Sequence, residues 1–156
     1  MKIDVVSVGT KMPAWVQQAT EEYIKRLGRE LPLRFLEVPL VKRSKSQSIK
    51  TYVDKEGQQL LAKVPTSSYV VALEVTGKVL DTPQLASQIE KLNFEAQDLC
   101  LLVGGPDGLS RACKDSADAL WSLSALTLPH PLVRVILAEQ IYRAHSILKG
   151  HPYHRE

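Results

Sequence analysis

The apolar residues of this chain fall into short continuous runs that alternate with longer periodic segments. The continuous runs are typical of strands buried on both faces, and they cover residues 3–8, 33–38, 69–75, 99–103 and 121–126. Apolar residues recur every three or four positions in the segments that follow, as in helices with one buried face. This alternation predicts an α/β fold with a mostly parallel sheet of five to six strands and helices on both faces.

Residues with preferences for helix ends place the later helices. Thr82, followed by a proline, is typical of a helix start, and Ser110 suits the cap of a short helix that runs to about Ala119. The last and longest helix is predicted over residues 132–148 and is apolar around most of its circumference. Because a small domain offers limited cover for such a helix, we expect a homodimer that buries it.

Length and composition are those of one ordinary globular domain. A chain of 156 residues is expected to fold as a single unit, residues 1–156, with a core that needs neither metal nor disulfide. Cys100 and Cys113 have no neighbouring ligand cluster and are expected to be buried thiols, so no metal site is predicted. No segment resembles a signal peptide or a membrane span, which predicts a cytoplasmic protein without a membrane partner.

The net charge of +3 is too small to indicate nucleic-acid binding by itself. Its distribution is more informative, because the cations are clustered. Each cluster alone is typical of a solvated surface, and together they would gain meaning if folding or dimerisation brought them to one face. The three clusters are Lys42, Arg43, Lys45 and Lys50; Lys25, Arg26 and Arg29; and His151, His154 and Arg155.

Two loops carry the candidate chemistry. The sequence GGPDG at positions 104–108 follows the fourth predicted strand, and LSALTL at positions 123–128 lies where the fifth strand ends and the last helix approaches. Loops at the carboxyl ends of parallel strands form the ligand crevice of open α/β sheets. Glycines allow close approach of the backbone to a ligand, and leucines supply apolar walls. A tight turn without a ligand, with the two loops packed together, is the alternative.

Phosphate-binding motifs are absent from these loops. No Gly-Lys-Ser/Thr follows the glycines, and GGPDG with its internal proline does not match the dinucleotide pattern G-x-G-x-x-G. A serine hydrolase is also excluded, since no serine lies in a G-x-S-x-G turn. Apolar, glycine-rich loops without phosphate chemistry favour S-adenosylmethionine over a nucleotide.

The segments LLVGGPDGL and SLSALTLPHPLVR, together with the ending HPYHRE, resemble the small bacterial ribosomal RNA large-subunit methyltransferases of the SPOUT class. The resemblance runs from VGTKMP near the start to the last residue. Members of that family methylate N3 of a pseudouridine in a stem-loop of the large-subunit rRNA. The resemblance therefore implies an S-adenosylmethionine-dependent rRNA methyltransferase that acts on the assembled ribosome.

The same resemblance implies features that periodicity cannot show. The C-terminal chain is expected to form a trefoil knot, which few folds contain, with the cofactor bound inside it in a bent conformation. The enzyme is expected to be a homodimer whose substrate site is completed across the interface. Gly105 is also expected to contact the cofactor, because a side chain at this position is expected to crowd it. The expected cofactor contacts are Leu73, Gly104, Gly105, Leu123, Ser124, Ala125, Leu126, Thr127 and Leu128.

The tail after Gly150 offers candidate catalytic groups. N3 of a pseudouridine is a poor nucleophile while protonated, and His154 is the natural group to take its proton. Arg155 could clamp a phosphate or an imidate oxygen, and Tyr153 could stack on a base. A frayed terminus that adds little to the core is the alternative.

Two further points remain open from the sequence. Arg134 and Glu139 of the last helix are expected to neutralise each other, or neighbours across a dimer interface, and not to act in catalysis. A non-catalytic RNA-binding protein on a cofactor-binding fold would use the same basic clusters. Binding of S-adenosylmethionine would separate this function from an enzyme.

Overall fold

The computed structural model describes residues 1–155, apart from the side chain of His154. Strands and helices alternate strictly along the chain, as predicted. The strands are β1 (Ile3–Val8), β2 (Leu33–Val38), β3 (Ser68–Val79), β4 (Asp98–Val103) and β5 (Ala119–Ser122). The helices are α1 (Ala14–Leu27), α2 (Ile49–Ala62), α3 (Thr82–Phe94), α4 (Arg111–Ser116) and α5 (His130–Leu148), and a 3₁₀ turn follows at Pro152–Arg155.

All five strands belong to one parallel sheet in the order β2-β1-β4-β3-β5. The predicted fold class is therefore confirmed, with five strands. All six residues of β1 are buried, which explains why β1 is almost continuously apolar. Among the described residues, no helix is long and apolar enough to cross a membrane.

The two faces of the sheet are covered by separate cores. Helices α1, α3 and α5 pack on one face, where Leu27, Ile89 and Ile141 are buried with side chains of β1 and β4. Helices α2 and α4 cover the other face, where Leu60 and Cys113 are buried. Both cysteines are buried free thiols, as expected, and burial raises the pKa of Cys100 to about 12.

Several predicted boundaries of helices and strands were wrong. Asp81, not Thr82, caps α3, because its carboxylate accepts from the backbone N–H of Gln84 in a capping box. Helix α4 ends at Ser116 and not near Ala119, since Asp118 pairs with the backbone of Val70 at the start of the β5 segment. Strand β5 covers only Ala119–Ser122, so residues 123–128 form a loop. Helix α5 begins two residues earlier than predicted, at His130.

Strand β3 is longer than predicted and irregular. Both Leu73 and Lys78 are aligned with Trp121 of β5, so the four intervening residues bulge out of the pairing. Gly77 lies within this bulge, where a Cβ would come within 2.8 Å of the backbone of Leu120. Leu73 and Glu74, at the start of this bulge, lie beside the two candidate loops, which follow β4 and β5.

Helix α2 packs closely on α4 at Gly57. A Cβ at this position would lie 2.1 Å from Oγ and 2.8 Å from Cβ of Ser110, the residue that caps α4. Gly57 therefore allows the contact between the two helices, at the cost of helix propensity in α2.

We expect Gly57→Ala to destabilise the protein although alanine is the better helix former. Overpacking costs about 1–3 kcal/mol, against a gain of about 1 kcal/mol in helix propensity. The exposed neighbour Gln58 provides the control, since Gln58→Ala changes propensity without a clash. Urea unfolding of both variants measures the difference. A stabilised Gly57→Ala protein would show that α2 and α4 can separate at no cost.

Candidate functional site

The two candidate loops face each other across one cleft. Its volume is about 930 Å³, and it lies at the carboxyl ends of β3, β4 and β5. Its walls are mainly apolar, and Glu74 and Asp107 are the carboxylates that line it. We call this cleft the loop pocket. It is large enough for a cofactor with a nucleoside and an amino-acid part.

Most of the residues predicted to contact the cofactor line this pocket. They come from three separate parts of the sequence, so the fold brings together what the sequence keeps apart. Ala125 is the exception, since it is exposed and does not line the pocket. The predicted residues that do line it are Leu73, Gly104, Gly105, Leu123, Ser124, Leu126, Thr127 and Leu128.

The glycine loop, residues 104–108, is a tight turn that closes on itself. Gly108 has φ +81° and donates its N–H to the carbonyl of Gly105 at 3.1 Å. A Cβ at Gly104 would lie 2.5 Å from the backbone of Gly108, so only glycine fits there. A Cβ at Gly105 would instead lie 3.0 Å from Val8, so a side chain at this position would contact the protein and not only a bound cofactor.

In the second loop, residues 123–128, several backbone N–H groups have no acceptor among the described residues. Ser122 Oγ donates to the carbonyl of Ser124 at 2.9 Å, and the N–H of Leu126 donates to Ser124 Oγ at 3.0 Å. Within the described part of the chain, the N–H groups of Ser124, Thr127 and Leu128 find no acceptor. Unpaired amides on a pocket wall are suited to read the edge of a bound ring.

A buried arginine on α5 ties the strand ends behind the pocket together. Arg134 is 3% exposed, and its guanidinium donates to the Glu37 carboxylate at the end of β2 and to the carbonyl of Gly9 after β1, at 2.7 Å. Its Nε donates to Nε2 of His130 at 2.9 Å. Nδ1 of His130 lies 3.2 Å from the carbonyl oxygen of Gly104. We call these residues the Arg134 network.

The Arg134 network determines the protonation of His130. Because Nε2 accepts a hydrogen bond from Arg134, the proton of the neutral ring lies on Nδ1 and is donated to Gly104. Burial, and then the charge of Arg134, lower the pKa of His130 below its usual range. His130 therefore stays neutral and holds the first carbonyl of the glycine loop in place.

The expected neutralisation of Arg134 by Glu139 is wrong. Arg134 pairs with Glu37, whereas Glu139 pairs with Arg143 one turn further along α5 at 2.8 Å. Arg134 lies toward the strand ends and Glu139 toward the tail. Five residues of helix correspond to about 500° of rotation, so the two side chains leave the helix about 140° apart.

The described part of the tail packs against α5, which argues against the alternative of a frayed terminus. The ring of Tyr153 lies 4.6 Å from that of Tyr142, and Arg143 stacks over it at 4.9 Å. Burial, and then the hydroxyl of Tyr23, raise the pKa of Tyr153 to about 12. The side chain of His154 lies outside the described residues, and Arg155 is exposed at the end of the turn.

Within one chain the tail is distant from the loop pocket. The hydroxyl of Tyr153 lies 3.3 Å from Glu139, whereas the part of α5 that lines the pocket ends at Val133. Six residues of helix correspond to about 9 Å along the axis. The structure therefore brings most of the predicted cofactor residues together and leaves Tyr153, one of the predicted catalytic residues, apart from them.

The basic clusters are likewise separated. The cluster at residues 42–50 lies at the carboxyl edge of the sheet, where Arg43 contacts Asp107 of the glycine loop at 2.8 Å. The cluster in the last turns of α1 lies with the tail, since Arg26 stacks over Tyr142 at 5.6 Å. In the part of the chain that the structure describes, no group of three or more acidic, His or Cys side chains could hold a metal ion.

Comparison with known proteins places the chain in a family. Residues 1–154 match the family described as "Predicted SPOUT methyltransferase". A solved structure of a methylase family protein from Neisseria gonorrhoeae has a similar fold, with a TM-score of 0.51 at 13% identity over 90% of this chain and 81% of that one. The chain belongs to the SPOUT methyltransferases, and the family implies a knotted C-terminal segment and use of S-adenosylmethionine.

A curated relative narrows the comparison. The ribosomal RNA large subunit methyltransferase H of Hahella chejuensis (strain KCTC 2396) is 53% identical over 156 residues, which cover 100% of both chains. The family resemblance drawn from the sequence motifs is therefore confirmed, and the identity extends beyond the two loops to the whole domain.

The sequence analysis missed the role of His130 and the partners of Arg134. A usable signal was present, since the two residues are four apart at the start of a helix and so lie on one face. What the sequence did not provide was the acceptor on β2, Glu37, which is 97 residues away from Arg134.

We expect His130→Ala to weaken binding of S-adenosylmethionine about tenfold, the effect of losing one positioning hydrogen bond. His130→Asn should restore most of the affinity, because its amide nitrogen can occupy the place of Nδ1 and donate to Gly104. Calorimetric titration of both variants measures the affinities. Equal losses in Ala and Asn variants would contradict the role of this hydrogen bond.

Protonation of His130 gives a pH dependence with a defined sign. A protonated ring cannot accept from Arg134, and the folded state lowers the pKa, so the contribution of His130 to stability is full above about pH 6.5. As the pH falls from there through the lowered pKa, stability is lost. Urea midpoints from pH 7.5 to 5 should therefore fall more steeply for the wild type than for His130→Asn. Parallel curves would contradict this assignment.

Proposed function

We propose that this protein transfers a methyl group from S-adenosylmethionine to N3 of a pseudouridine in large-subunit ribosomal RNA, on the assembled ribosome. The observation that carries the proposal is the loop pocket, in which two loops free of phosphate-binding chemistry meet at the sheet edge. The name of the 53% identical relative supports an rRNA substrate. A ribosomal substrate also supports a cytoplasmic location.

The residues of the pocket fit this cofactor. Its leucine walls suit an adenine ring, and the free amides of the second loop suit the ring edge. Glu74 and Asp107 supply negative charge for a cationic ligand, although Lys114 at 3.3 Å and Arg43 at 2.8 Å partly neutralise them. Leu73 and Gly104 would hold the cofactor between the two loops. When bound, S-adenosylmethionine supplies a methyl group on a positively charged sulfur.

The protein has two tasks in this reaction. It must hold N3 of the base in line with the methyl group, which accounts for much of the rate in a displacement. It must also take the imide proton and stabilise the negative charge left on the base. We assign the proton to His154 and the clamp on phosphate or imidate oxygen to Arg155. Tyr153 would provide a face for the base or for its neighbours.

Within one chain Tyr153 does not reach the loop pocket, so we infer that a second copy of the chain brings the tail groups to it. The tail of each chain lies against its own α5, about 9 Å along the helix from the pocket. Helix α5 also leaves Leu132, Val135 and Ile136 only partly covered within the single chain. We propose a homodimer in which the tail of one copy completes the pocket of the other.

Complementation tests the shared site. Leu128→Lys puts a charge on the pocket wall, and His154→Ala removes the proposed base, so each variant alone should lose about 100-fold or more in rate. Unfolding and refolding the two variants together forms mixed dimers as well as the two parental dimers, and each mixed dimer contains one intact site. Activity well above that of either parent is expected, with each parent refolded alone as the control. A mixture no more active than its parents would contradict the shared site.

The reaction itself is tested in cells. Ribosomal RNA from cells that lack the protein should contain an unmethylated pseudouridine that re-expression converts to the N3-methyl form, as measured by nucleoside mass spectrometry. Re-expression of Leu128→Lys provides the control for a folded but inactive protein. Fully methylated rRNA in cells without the protein would contradict the proposed function.

A further inference from the structure

The basic loop, residues 42–48, borders the loop pocket. Strands β1 and β2 end level with each other, because Val8 is aligned with Val38 and the N–H of Gly9 donates to Val38 at 2.7 Å. The chain then crosses the carboxyl edge toward α2. Here Arg43 Nη2 reaches Asp107 Oδ2 at 2.8 Å, and Asp107 lines the pocket. The basic loop is therefore directly next to the proposed methyl-transfer site.

Arg43 points inward, unlike the lysines beside it. Its guanidinium makes two hydrogen bonds to Glu56, at 2.9 and 3.1 Å, and one to the carbonyl of Val41 at 2.7 Å. Glu56 is 2% exposed, so this pair also satisfies a buried carboxylate. With a fourth hydrogen bond to Asp107, its third partner, Arg43 has little capacity left for an RNA phosphate and instead joins α2 to the glycine loop.

The rest of the basic loop is held by Tyr52. Its hydroxyl accepts from the N–H of Ser44 at 2.6 Å and lies 2.9 Å from Ser44 Oγ, and Arg43 stacks over its ring at 5.2 Å. Lys42 and Lys45 flank this anchored part of the loop and are exposed. Neither forms an ion pair with a carboxylate in the described part of the chain.

The neighbouring loop, between β1 and α1, continues the same edge. Lys11 is exposed there at φ 55°, and it has no ion pair among the described residues. Trp15, in the first turn of α1, is 52% exposed. An exposed tryptophan next to unpaired lysines is the combination with which proteins hold single-stranded RNA, by stacking on bases and contacting phosphates.

We propose that the basic loop divides its charges between two tasks. Lys42 and Lys45, with Lys11, hold phosphates of the substrate RNA beside the loop pocket, and Trp15 stacks on a base or ribose of the same strand. Arg43 is a positioning residue that fixes the glycine loop and does not contact RNA. This inference rests on the proposed function, because it assumes that the substrate is RNA.

The first test removes the two lysines. Lys42→Gln/Lys45→Gln should raise KM for ribosomal substrate roughly tenfold and lower the salt dependence of binding by about 1.5 in the log–log slope, since each phosphate contact contributes about 0.7–0.9. The value of kcat and the affinity for S-adenosylmethionine should stay unchanged. Lys63→Gln/Lys91→Gln is the matched control, because the exposed Lys63 directly follows α2 and the exposed Lys91 lies in the last turn of α3, both at the opposite edge. Equal KM and salt slope in both double variants would overturn the proposal.

The second test separates Arg43 from its neighbours. Arg43→Gln/Glu56→Gln removes the arginine without leaving a buried charge, and it should weaken S-adenosylmethionine binding about tenfold while the salt slope for RNA stays that of the wild type. A reduced salt slope with normal cofactor affinity would show that Arg43 contacts RNA and would overturn its assignment. If this variant does not fold, Arg43→Lys keeps the positive charge beside Glu56 and loses the fork that spans Glu56 and Asp107; unchanged affinity for S-adenosylmethionine would then overturn the positioning role.

The third test concerns Trp15. Trp15→Ala should raise KM for the ribosomal substrate by about tenfold or more, and Trp15→Phe should recover most of it, since stacking needs only an aromatic face. Phe94→Ala is the control, as Phe94 is 91% exposed on α3. A Trp15→Ala protein that becomes monomeric in sedimentation would overturn this part, because Trp15 would then contact a second copy.

The outcomes also separate this inference from the proposed function. If the wild type binds no S-adenosylmethionine and methylates no rRNA, the proposed function fails. If the wild type methylates rRNA and the lysine and Trp15 variants have its KM and salt slope, only the present proposal fails.

Discussion

The site depends on one buried guanidinium. Arg134 joins the ends of β1 and β2 directly and the end of β4 through His130, so three neighbouring strands are fixed relative to α5. A buried arginine is costly unless its donors are paired, and here the partners are a carboxylate, a carbonyl and a ring nitrogen. The glycine loop begins at the carbonyl that this network holds. The shape of the pocket therefore depends on the hydrogen bonds and ion pair of Arg134 behind it as well as on the residues that line it.

A second ionic connection acts from the other side of the glycine loop. Arg43 links Asp107 to Glu56 of α2, which covers one face of the sheet. From the other face, Arg134 of α5 acts on the glycine loop through His130. Among the described residues, the second loop has no comparable ionic support, and the N–H groups of Ser124, Thr127 and Leu128 find no acceptor. The glycine loop is thus a wall fixed by ionic contacts, and the second loop is a wall with unpaired amides. Together they suit a pocket that must hold a flexible cofactor in one orientation.

Periodicity was enough to predict the strands, the helices and the parallel sheet, because β1 and β4 are buried along nearly their whole length and α1, α2 and α3 each bury one face. The predicted ends of elements were wrong where a tertiary contact determines them. For example, Asp118 pairs with the backbone of Val70, and α4 therefore ends before it. The predicted cofactor residues came together because loops after parallel strands share one edge. The partners of Arg134 and Arg43 could not be predicted, since Glu37 and Asp107 are distant in sequence and no local pattern marks them.

The central claim is that S-adenosylmethionine binds in the loop pocket between the two loops. Calorimetric titration of the cofactor into the wild type, Leu128→Lys and Phe94→Lys tests it most directly. Leu128 lines the pocket, whereas Phe94 is exposed on α3, so both variants add the same charge. We predict binding to the wild type and Phe94→Lys with equal affinity, and a loss of at least about tenfold in Leu128→Lys, as expected when a charge is buried without a partner. Unchanged binding to a folded Leu128→Lys protein would contradict the account.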